Sequence, residues 1–469
     1  MKSFTATAFI LLIAISAFPA GINLPGIGAR AVSMGGAYRA LSNDGSALYW
    51  NPAGLSSVDE SQLTAVGQYM LTYSDFTADD TLRAINLLFR EGPQKKLDRE
   101  FYTGNIFGVY APKGNSAWRF GFGVYSPAGV GSTWDVLLED GSGGVGTINP
   151  RSMNPPYPDS DFVMSTTEPL PHRDFRGRLG SYSISAGAAY SIGNSLSIGL
   201  SPIVTPAFLD VRIPSSDYSK MQADTGVVFQ EGDFTGQSYG FNLGVLFWPN
   251  DRLSLGGNLK YQTAFAFEGD YTETVYKFYN EDLHNLALFL GDTLLSGEKL
   301  VKPTVRAEAE FARPLEFGFG AAYKIGERML IALDFSYNYW SALDTLVLES
   351  ADGARLLALP MLWVDTYRIS IGGEYAFSRY LARLGAFYEP NPAIADYQNL
   401  FIPDVNDRVA FAGGFAAVLG KLLAEFSVET EFFGEIVAKP NFIDDFSVNI
   451  LGEYAASVAD FVLSVTYRF

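Results

Sequence analysis

The stretch MLIALDFSYNY, residues 329–339, decides the fold class of this chain. Its odd-numbered positions carry large apolar or aromatic side chains, whereas Asp334, Ser336 and Asn338 between them are polar. A period of two residues predicts a β-strand whose two faces meet different surroundings. The same alternation returns in residues 367–375 and 424–432 and continues through most of the chain after residue 60. The sequence therefore predicts an all-β protein, although a soluble sandwich would alternate in the same way.

The lengths of the connections separate a membrane barrel from a sandwich. Tight turns are expected at Lys113–Ser116, Gly193–Asn194, Pro249–Asp251, Gly326–Arg328, Ser378–Arg379 and Gly420–Lys421. Long connections lie between them, at Ser74–Tyr102, Ser126–Arg176, Pro214–Asp233, Gly269–Pro303, Ala342–Leu362, Pro390–Asn406 and Gly434–Leu451. Outer-membrane barrels alternate tight periplasmic turns with longer outward loops. We therefore predict a transmembrane antiparallel β-barrel of about 14 strands.

Composition limits the classes of function. The 469 residues are too many for one ordinary soluble core, and a net charge of −18 argues against a nucleic-acid partner, which needs a basic surface. The absence of cysteine excludes a lipid anchor, a thiolate metal site and a cysteine nucleophile. Two histidines, His172 and His284, are too few for a multi-histidine metal site. We expect no metal, no cofactor and no catalytic residue, and the chain is predicted not to be an enzyme.

The N-terminus predicts export. Lys2 supplies a positive charge, residues 9–15 form an apolar core, and Ala17-Phe18-Pro19-Ala20 forms a cleavage zone, so residues 1–20 read as a signal peptide. An exported barrel is expected in the bacterial outer membrane. Residues 21–57 are rich in Gly and Ala and lack alternation, which leaves residues 58–469 for the barrel. Trp50 and the turn that follows it favour a packed plug in the lumen over a loose periplasmic tail.

Several motifs stand in a characteristic order along the chain. The first group is Gly28-Ala29-Arg30-Ala31, Met34-Gly35-Gly36-Ala37 and the run SALYWNPAGL at residues 46–55. GFGVYSP follows at residues 121–127 and closes on Trp134-Asp135. The remaining motifs are Pro314-Leu315-Glu316, Tyr339-Trp340-Ser341, Asp365-Thr366-Tyr367-Arg368-Ile369, Tyr388-Glu389-Pro390-Asn391-Pro392, Ile402-Pro403-Asp404 and Asp407-Arg408. Together they resemble the FadL/TodX (OMPP1) family of outer-membrane transporters for long-chain fatty acids and aromatic hydrocarbons. The resemblance spans essentially the whole mature chain, with one departure, an added residue at Val405-Asn406.

The resemblance implies a barrel plugged by an N-terminal hatch. In this sequence the hatch and gating residues are Asn51, Pro52, Ala53 and Gly54. It also implies that ligand is caught in a groove among the outer loops, moves to an internal pocket and leaves sideways into the outer leaflet, without an energy source. The expected partners are a hydrophobic ligand and the surrounding outer-membrane lipid or lipopolysaccharide, and the expected state is a monomer.

A kink in the third strand is the lateral opening that the resemblance implies. The candidates here are Pro127, Gly129 and Gly131, because proline and glycine are the residues that interrupt strands. The alternative is that Pro127 only ends the strand at the outer rim.

Candidate ligand-binding residues fall into two groups. Leu283, Leu286 and Leu290 recur at helical spacing in an outer loop and predict an apolar face, which could serve a ligand groove or simply pack against another loop. Lys260 and Arg368 are basic and share the lumen side of their strands, where a carboxylate ligand would find a partner unless lumen acids already pair with them.

The predicted function is passive transport of hydrophobic small molecules, most of all long-chain fatty acids. Uptake of aromatic hydrocarbons is the alternative within the same class. An adhesin or structural barrel and an enzyme with a loop-based site at His172 or His284 are alternatives from other classes.

Overall fold

In the computed structural model the described residues are 26–79, 89–114, 116–137, 145–148, 162–166, 168–216, 226–279, 299–401, 407–438 and 450–469. The predicted signal peptide and the start of the predicted plug lie outside them. So do the loop residues Leu283, Leu286 and Leu290.

The described residues form 25 strand segments. They are β1 (Gln62–Ala78), β2 (Pro93–Lys95), β3 (Glu100–Tyr110), β4 (Trp118–Tyr125), β5 (Gly129–Trp134), β6 (Val145–Ile148), β7 (Phe162–Thr166), β8 (Phe175–Ser181), β9 (Ser183–Ile192), β10 (Leu196–Ser216), β11 (Gly226–Asn250), β12 (Leu253–Gln262), β13 (Phe265–Tyr279), β14 (Leu300–Val301), β15 (Val305–Phe311), β16 (Glu316–Ile325), β17 (Met329–Asn338), β18 (Thr345–Ser350), β19 (Arg355–Pro360), β20 (Thr366–Phe377), β21 (Tyr380–Glu389), β22 (Arg408–Leu419), β23 (Leu422–Phe433), β24 (Ile436–Ala438) and β25 (Gly452–Arg468).

Fourteen strands of the described chain close into an antiparallel barrel, as predicted. Four of them consist of two consecutive segments, written with a slash. In order around the wall the strands are β1, β3, β4/β5, β8/β9, β10, β11, β12/β13, β15/β16, β17, β20, β21, β22, β23 and β25. The first and last pair from Gln62↔Arg468 to Ala78↔Gly452, which closes the wall. The closed ring has no edge strand, as a membrane-spanning sheet requires, although the pairing between neighbours is interrupted locally at two positions described below.

The two faces of each strand meet different surroundings. On β17, Leu333 is 52% exposed and points away from the barrel, whereas Asp334 beside it is 4% exposed and points into the lumen. On β23, Phe426 and Phe432 point outward while Glu425, Glu429 and Glu431 are buried inside. The alternation read from the sequence is therefore confirmed: the apolar face meets lipid and the polar face lines the lumen.

The six predicted tight turns all connect successive strands, as expected. Gly193, Gly326 and Gly420 adopt φ values of 62°, 66° and 65°, the left-handed conformation that glycine accepts without strain.

The outward connections contain more strand than the sequence predicted. Residues 214–233 were expected to be a loop, but β10 continues to Ser216 and β11 begins at Gly226, still paired at Ser216↔Val227. Residues 342–362 contain the hairpin β18–β19. The reason lies in β10, where Leu209, Val211 and Ile213 stay buried inside after the outward face has turned polar. Backbone pairing and an apolar inner face sustain these strands beyond the lipid.

The helices are short. They are α1 (Ala29–Ser33), α2 (Ala47–Trp50) and 3-10 turns at Pro52–Ser57, Trp340–Ala342 and Ala395–Tyr397. In the part of the chain described above, no helix has the length and apolar character needed to cross a bilayer.

Buried apolar side chains form two main clusters. The larger lies inside the wall toward the outward loops and includes Phe76, Trp134, Trp340, Trp363 and Phe401. The second surrounds the residues that precede the first strand. The outward half of the lumen is therefore packed with apolar and aromatic side chains.

Candidate functional site

Residues 26–58, here called the N-terminal segment, lie inside the barrel. Helix α1 packs on β21, β22, β23 and β25, whereas the 3-10 turn Pro52–Ser57 packs on β4, β9, β10 and β11. Most of the side chains of the segment are buried. The segment therefore crosses the lumen from one part of the wall to another.

The motif Asn51-Pro52-Ala53-Gly54 attaches this segment to β10 and β11. Asn51 Nδ2 donates a hydrogen bond to the carbonyl oxygen of Val245 over 3.0 Å, and Asn51 Oδ1 accepts one from Ala53 N over 3.2 Å. Ser197 Oγ donates to the carbonyl oxygen of Ala53 over 3.1 Å. The motif thus binds the backbone and side chains of the wall directly.

Buried ion pairs hold the segment in place as well. Arg39 Nη2 lies 2.5 Å from Glu316 Oε1, and Arg39 Nη1 lies 3.4 Å from Asp334 Oδ2. Arg30 Nε lies 3.0 Å from Glu374 Oε2. Displacing the segment would separate these opposite charges in largely buried surroundings, so each pair resists that displacement.

A small cavity lies between the segment and the wall. It is lined by Tyr49 from the segment, by Tyr125 and Pro127 from β4/β5, and by Lys260 and Glu316 across the lumen, among others. Its free volume is about 10 Å³, which is room for about one water molecule. In this conformation the cavity is therefore closed to any larger ligand.

Lys260 lies in this cavity, as its position on the lumen side of β12 predicts. Its Nζ is 3.3 Å from Glu316 Oε2 and 3.8 Å from the centre of the Tyr49 ring. Burial raises the pKa of the Tyr49 phenol above its ordinary range, so the ring meets Lys260 uncharged. Lys260 thus lines the cavity and also contacts Glu316, the carboxylate that pairs with Arg39.

Arg313 is the cavity residue that sequence reasoning missed. It lies between β15 and β16, is 8% exposed, and donates from Nη2 to Gln262 Oε1 over 2.9 Å. Its Nε and Nη1 have no hydrogen-bond partner among the described residues. A buried cation without a carboxylate partner is costly and favours binding of an anion. The sequence signal that could have identified Arg313 is a basic residue next to Pro314, at the point where strand alternation stops.

The third strand, β4/β5, is interrupted at residues 126–128. β4 pairs with β3 as far as Val124↔Ile106, but β5 pairs only with β8. Within the described chain, residues 100–105 of β3 therefore face a wall position without a ladder partner. Farther out, Leu97 N donates to the carbonyl oxygen of Thr133 over 2.8 Å and closes this gap.

The lateral-opening candidates lie at this interruption. Pro127 lines the cavity, and Gly129 and Gly131 lie in β5, opposite Gly180 and Arg178. The strand resumes after Pro127, so Pro127 marks an internal break and does not simply end the strand at the rim.

Arg368, the other basic candidate, lies on the lumen side of β20. Its Nη2 donates to the carbonyl oxygen of Gly35 over 3.2 Å, and its guanidinium lies 3.5 Å from the centre of the Phe387 ring. It therefore contacts the N-terminal segment and does not line the cavity with Lys260.

Within the described ranges, no group of three or more His, Asp or Glu side chains is placed to hold a metal ion.

Comparison with known proteins places this barrel in a family. Residues 176–469 match the family described as outer membrane protein transport protein (OMPP1/FadL/TodX). A long-chain fatty acid transport protein of Escherichia coli is 22% identical over 256 residues, which are 50% of this chain and 55% of that protein.

Solved structures share the fold, among them the following two. A FadL homologue of Pseudomonas aeruginosa superimposes with a TM-score of 0.72 at 17% identity, covering 96% of this chain and 100% of that one. The toluene transporter TodX of Pseudomonas putida gives 0.67 at 17% identity, covering 95% and 99%. The chain therefore belongs to the OMPP1/FadL/TodX family of transport channels for hydrophobic compounds in the bacterial outer membrane.

Proposed function

We propose that this channel carries long-chain fatty acids passively across the outer membrane. The supporting observation is Arg313, a buried cation in the lumen cavity with two nitrogen atoms that no described residue satisfies. A carboxylate matches a guanidinium in both charge and geometry. An aromatic hydrocarbon has no charged group and would leave this cation unpaired.

Lys260 is the second cation for the ligand. It contacts Glu316 at 3.3 Å, longer than the 2.5 Å of Arg39 to the same carboxylate, so it can turn toward a ligand while Arg39 keeps its partner. The carboxylate group of the ligand would then lie between Lys260 and Arg313, in space that opens when Lys260 turns.

The route follows the apolar parts of the lumen. Ligand enters from the outer loops, crosses the apolar cluster that includes Trp134 and Trp340, and reaches the cavity. The interruption at Pro127, Gly129 and Gly131 is the proposed exit into the outer leaflet. Asn51–Gly54 are the proposed gating residues, because they fasten the N-terminal segment below the cavity. We further propose that the barrel is a monomer surrounded by outer-membrane lipid and lipopolysaccharide, and that it has no catalytic activity.

Uptake by whole cells tests this proposal. The chain is expressed in a bacterium that lacks its own fatty-acid channel, and uptake of labelled oleate and of toluene is measured. Arg313→Gln should lower oleate uptake about tenfold, the value of one lost charge-assisted hydrogen bond, and leave toluene uptake unchanged.

Arg306→Gln is the matched control, because Arg306 carries the same charge on the outer surface and is 64% exposed. Equal losses for both ligands in Arg313→Gln would favour a structural role for this residue. Toluene uptake without oleate uptake in the unmodified protein would assign the channel to aromatic hydrocarbons. Uptake of neither ligand by a correctly inserted barrel would favour an adhesin.

A further inference from the structure

The wall contains a second interruption, between β12/β13 and β15/β16. Below it the last ladder pair is Lys260↔Glu316, and above it the first is Phe265↔Phe311. Residues 261–264 and 312–315 lie between these pairs and form no ladder pairs with each other. The ladder between these two strands is thus missing over four residues of each, although Tyr261 and Gln262 still pair with β11 on their other side.

On both strands the set of residues that points outward changes between odd-numbered and even-numbered positions at this level. Tyr261 and Thr263 are exposed outward, but farther along the outward positions are Ala266 and Glu268, so the parity changes from odd to even. On the neighbouring strand the inward residues are Arg313 above and Glu316 below, which again differ in parity. Each strand therefore carries one extra residue at the same level, as in a β-bulge.

Pro314 keeps this interruption open, and the register of the two strands confines it to a short stretch. Pro314 has no backbone N–H and cannot complete the ladder. The extra residue on one strand is matched by the extra residue on its neighbour. From Lys260↔Glu316 to Phe265↔Phe311 both strands therefore advance by the same number of residues, and the register is the same below and above the gap. The ladder can resume above the gap without any change of pairing.

Arg313 lies at the inner side of the interruption. Its guanidinium contacts Gln262 and lies 5.2 Å from the centre of the Phe265 ring, so its neighbours belong to the opposite strand of the gap. On the outer side, Tyr261 and Tyr339 are 45% and 39% exposed. Exposed tyrosines are typical of the level at which hydrocarbon meets lipid headgroups.

The size of the cavity limits how an amphiphile can bind there. Room for about one water molecule cannot admit an acyl chain, and a carboxylate can bind there only when lining side chains such as Lys260 turn aside. The acyl chain of a ligand bound at Arg313 would therefore lie outside the cavity, and the unpaired part of the wall nearest to Arg313 is the gap between β12/β13 and β15/β16. Arg313 and Pro314 are themselves part of that wall.

We propose that the interruption between β12/β13 and β15/β16 is a second lateral opening, at which Arg313 binds the carboxylate of a single-chain amphiphile whose acyl chain lies in the outer leaflet. This inference rests on the proposed function only in the class of ligand. It adds a site of exchange with the membrane that is separate from the interruption at Pro127.

Photolabelling locates the chain of the bound ligand. The full-length protein in phospholipid vesicles is irradiated with a fatty acid that carries a diazirine in the part of its chain next to the carboxylate, and labelled peptides are mapped by mass spectrometry. Labelling around Tyr261 and Tyr339 should fall at least fivefold in Arg313→Gln. Labelling at Phe411, which also faces lipid, on β22, should stay the same. Heat-modifiable gel mobility shows that the variant is folded. Labelling at Tyr261 and Tyr339 that does not depend on Arg313 would overturn the proposal.

A reversible crosslink tests passage. The chain has no cysteine, so the pair Ala264→Cys with Ala312→Cys can close the gap at positions that continuous register places opposite each other. Oleate uptake should drop at least threefold in the oxidised protein and recover with reductant. The control pair Glu268→Cys with Glu308→Cys joins the same two strands where they are already paired. Equal uptake by both oxidised proteins would refute the second opening and leave the proposed function standing.

Discussion

Arg39 of the N-terminal segment and Glu316 of β16 form a buried ion pair, with 2.5 Å between Nη2 and Oε1. The other oxygen of the same carboxylate lies 3.3 Å from Lys260 Nζ, and Lys260 lines the cavity. One carboxylate therefore contacts both the segment that crosses the lumen and a cation proposed to bind ligand. When an anion binds Lys260 and draws it away, Glu316 keeps Arg39 as its remaining partner among these two cations.

Removing this carboxylate should loosen the segment. Glu316→Gln leaves Arg39 and Lys260 buried without their shared partner, which costs about 3–5 kcal/mol for a broken buried pair. We expect more frequent channel openings and higher ion conductance in planar bilayers. Glu308→Gln, on the exposed outer face of β15, is the control and should conduct like the unmodified protein. Unchanged conductance in Glu316→Gln would show that the pair does not hold the segment.

Asn51 should anchor the segment through hydrogen bonds. Asn51→Ala removes the bonds to Val245 and to the backbone of Arg39 and leaves buried groups unsatisfied, at a cost of about 1–3 kcal/mol. Hydrogen exchange of residues 26–58 should become faster, while exchange in the barrel strands stays as it was. Asn43→Ala, at an exposed position of the same segment, should have a much smaller effect. Equal protection in Asn51→Ala and the unmodified protein would contradict the anchoring role.

Close approach of the segment to the wall should make Gly244 irreplaceable. A Cβ at this position would lie 2.1 Å from Asn51 Oδ1 and 2.8 Å from Ala53 N, so Gly244→Ala must displace the segment. We expect a lower unfolding temperature and higher conductance. Gly67→Ala places its Cβ in open space and serves as the control. Matching behaviour of the two variants would argue against tight contact at Gly244.

The free-energy cost of a charged substitution on the lipid face should depend on its depth in the membrane. Leu333→Arg places a charge in the middle of β17, where it should cost about 2–4 kcal/mol of folding free energy in vesicles. Met329→Arg, at the end of the same strand, should cost about 0–1 kcal/mol. The two free energies of unfolding, measured by urea titration, test this order, and equal costs would be incompatible with the assigned lipid face.

The outer loop before β8 should become less stable as the pH rises. Burial raises the pKa of Asp174 to about 7, although its carboxylate accepts hydrogen bonds from Val136 N and Leu137 N. Between its ordinary value of 3.8 and about 7, the folded loop holds a proton that the unfolded loop has lost. The stabilisation that protonated Asp174 gives the folded loop is therefore complete below this pH window and declines across it. Above the window, stability no longer changes with pH through this group.

Hydrogen exchange measures this effect at the amides of Val136 and Leu137. After correction for intrinsic rates, protection should be greater at pH 5 than at pH 8, and Asp174→Asn should remove the dependence. Greater protection at pH 8 would mean that the hydrogen bonds to the carboxylate outweigh its burial.

Much of the fold could be predicted because its signals are local. Leu333 and Asp334 already show which face of β17 meets lipid, and Gly193 and Gly326 mark turns through conformations that other residues avoid. The length of the outward strands was predicted less well. In residues 209–213 the inner face stays apolar beyond the membrane, and only pairing with β11 shows that this stretch remains strand.

The candidate site was harder to predict, because the partners of a cation come from distant strands. Lys260 and Arg368 both lie on the lumen side in the sequence, yet Lys260 lines the cavity and Arg368 contacts Gly35. Arg313 was missed because its inward direction depends on the extra residue beside Pro314. That shift becomes visible only when the strand is paired with its neighbours.

The sequence alone determined the class of the protein: alternation and turn spacing specify a closed membrane barrel, since lipid leaves no unpaired backbone and rewards one apolar face. Only the tertiary structure decided which charges are neutralised and where the wall is unpaired. Glu316 and Asp334 together balance Arg39 and Lys260, whereas Arg313 has no carboxylate partner among the described residues. The physical reason is that charge pairing acts over a few ångströms in space, between residues that lie far apart in the chain.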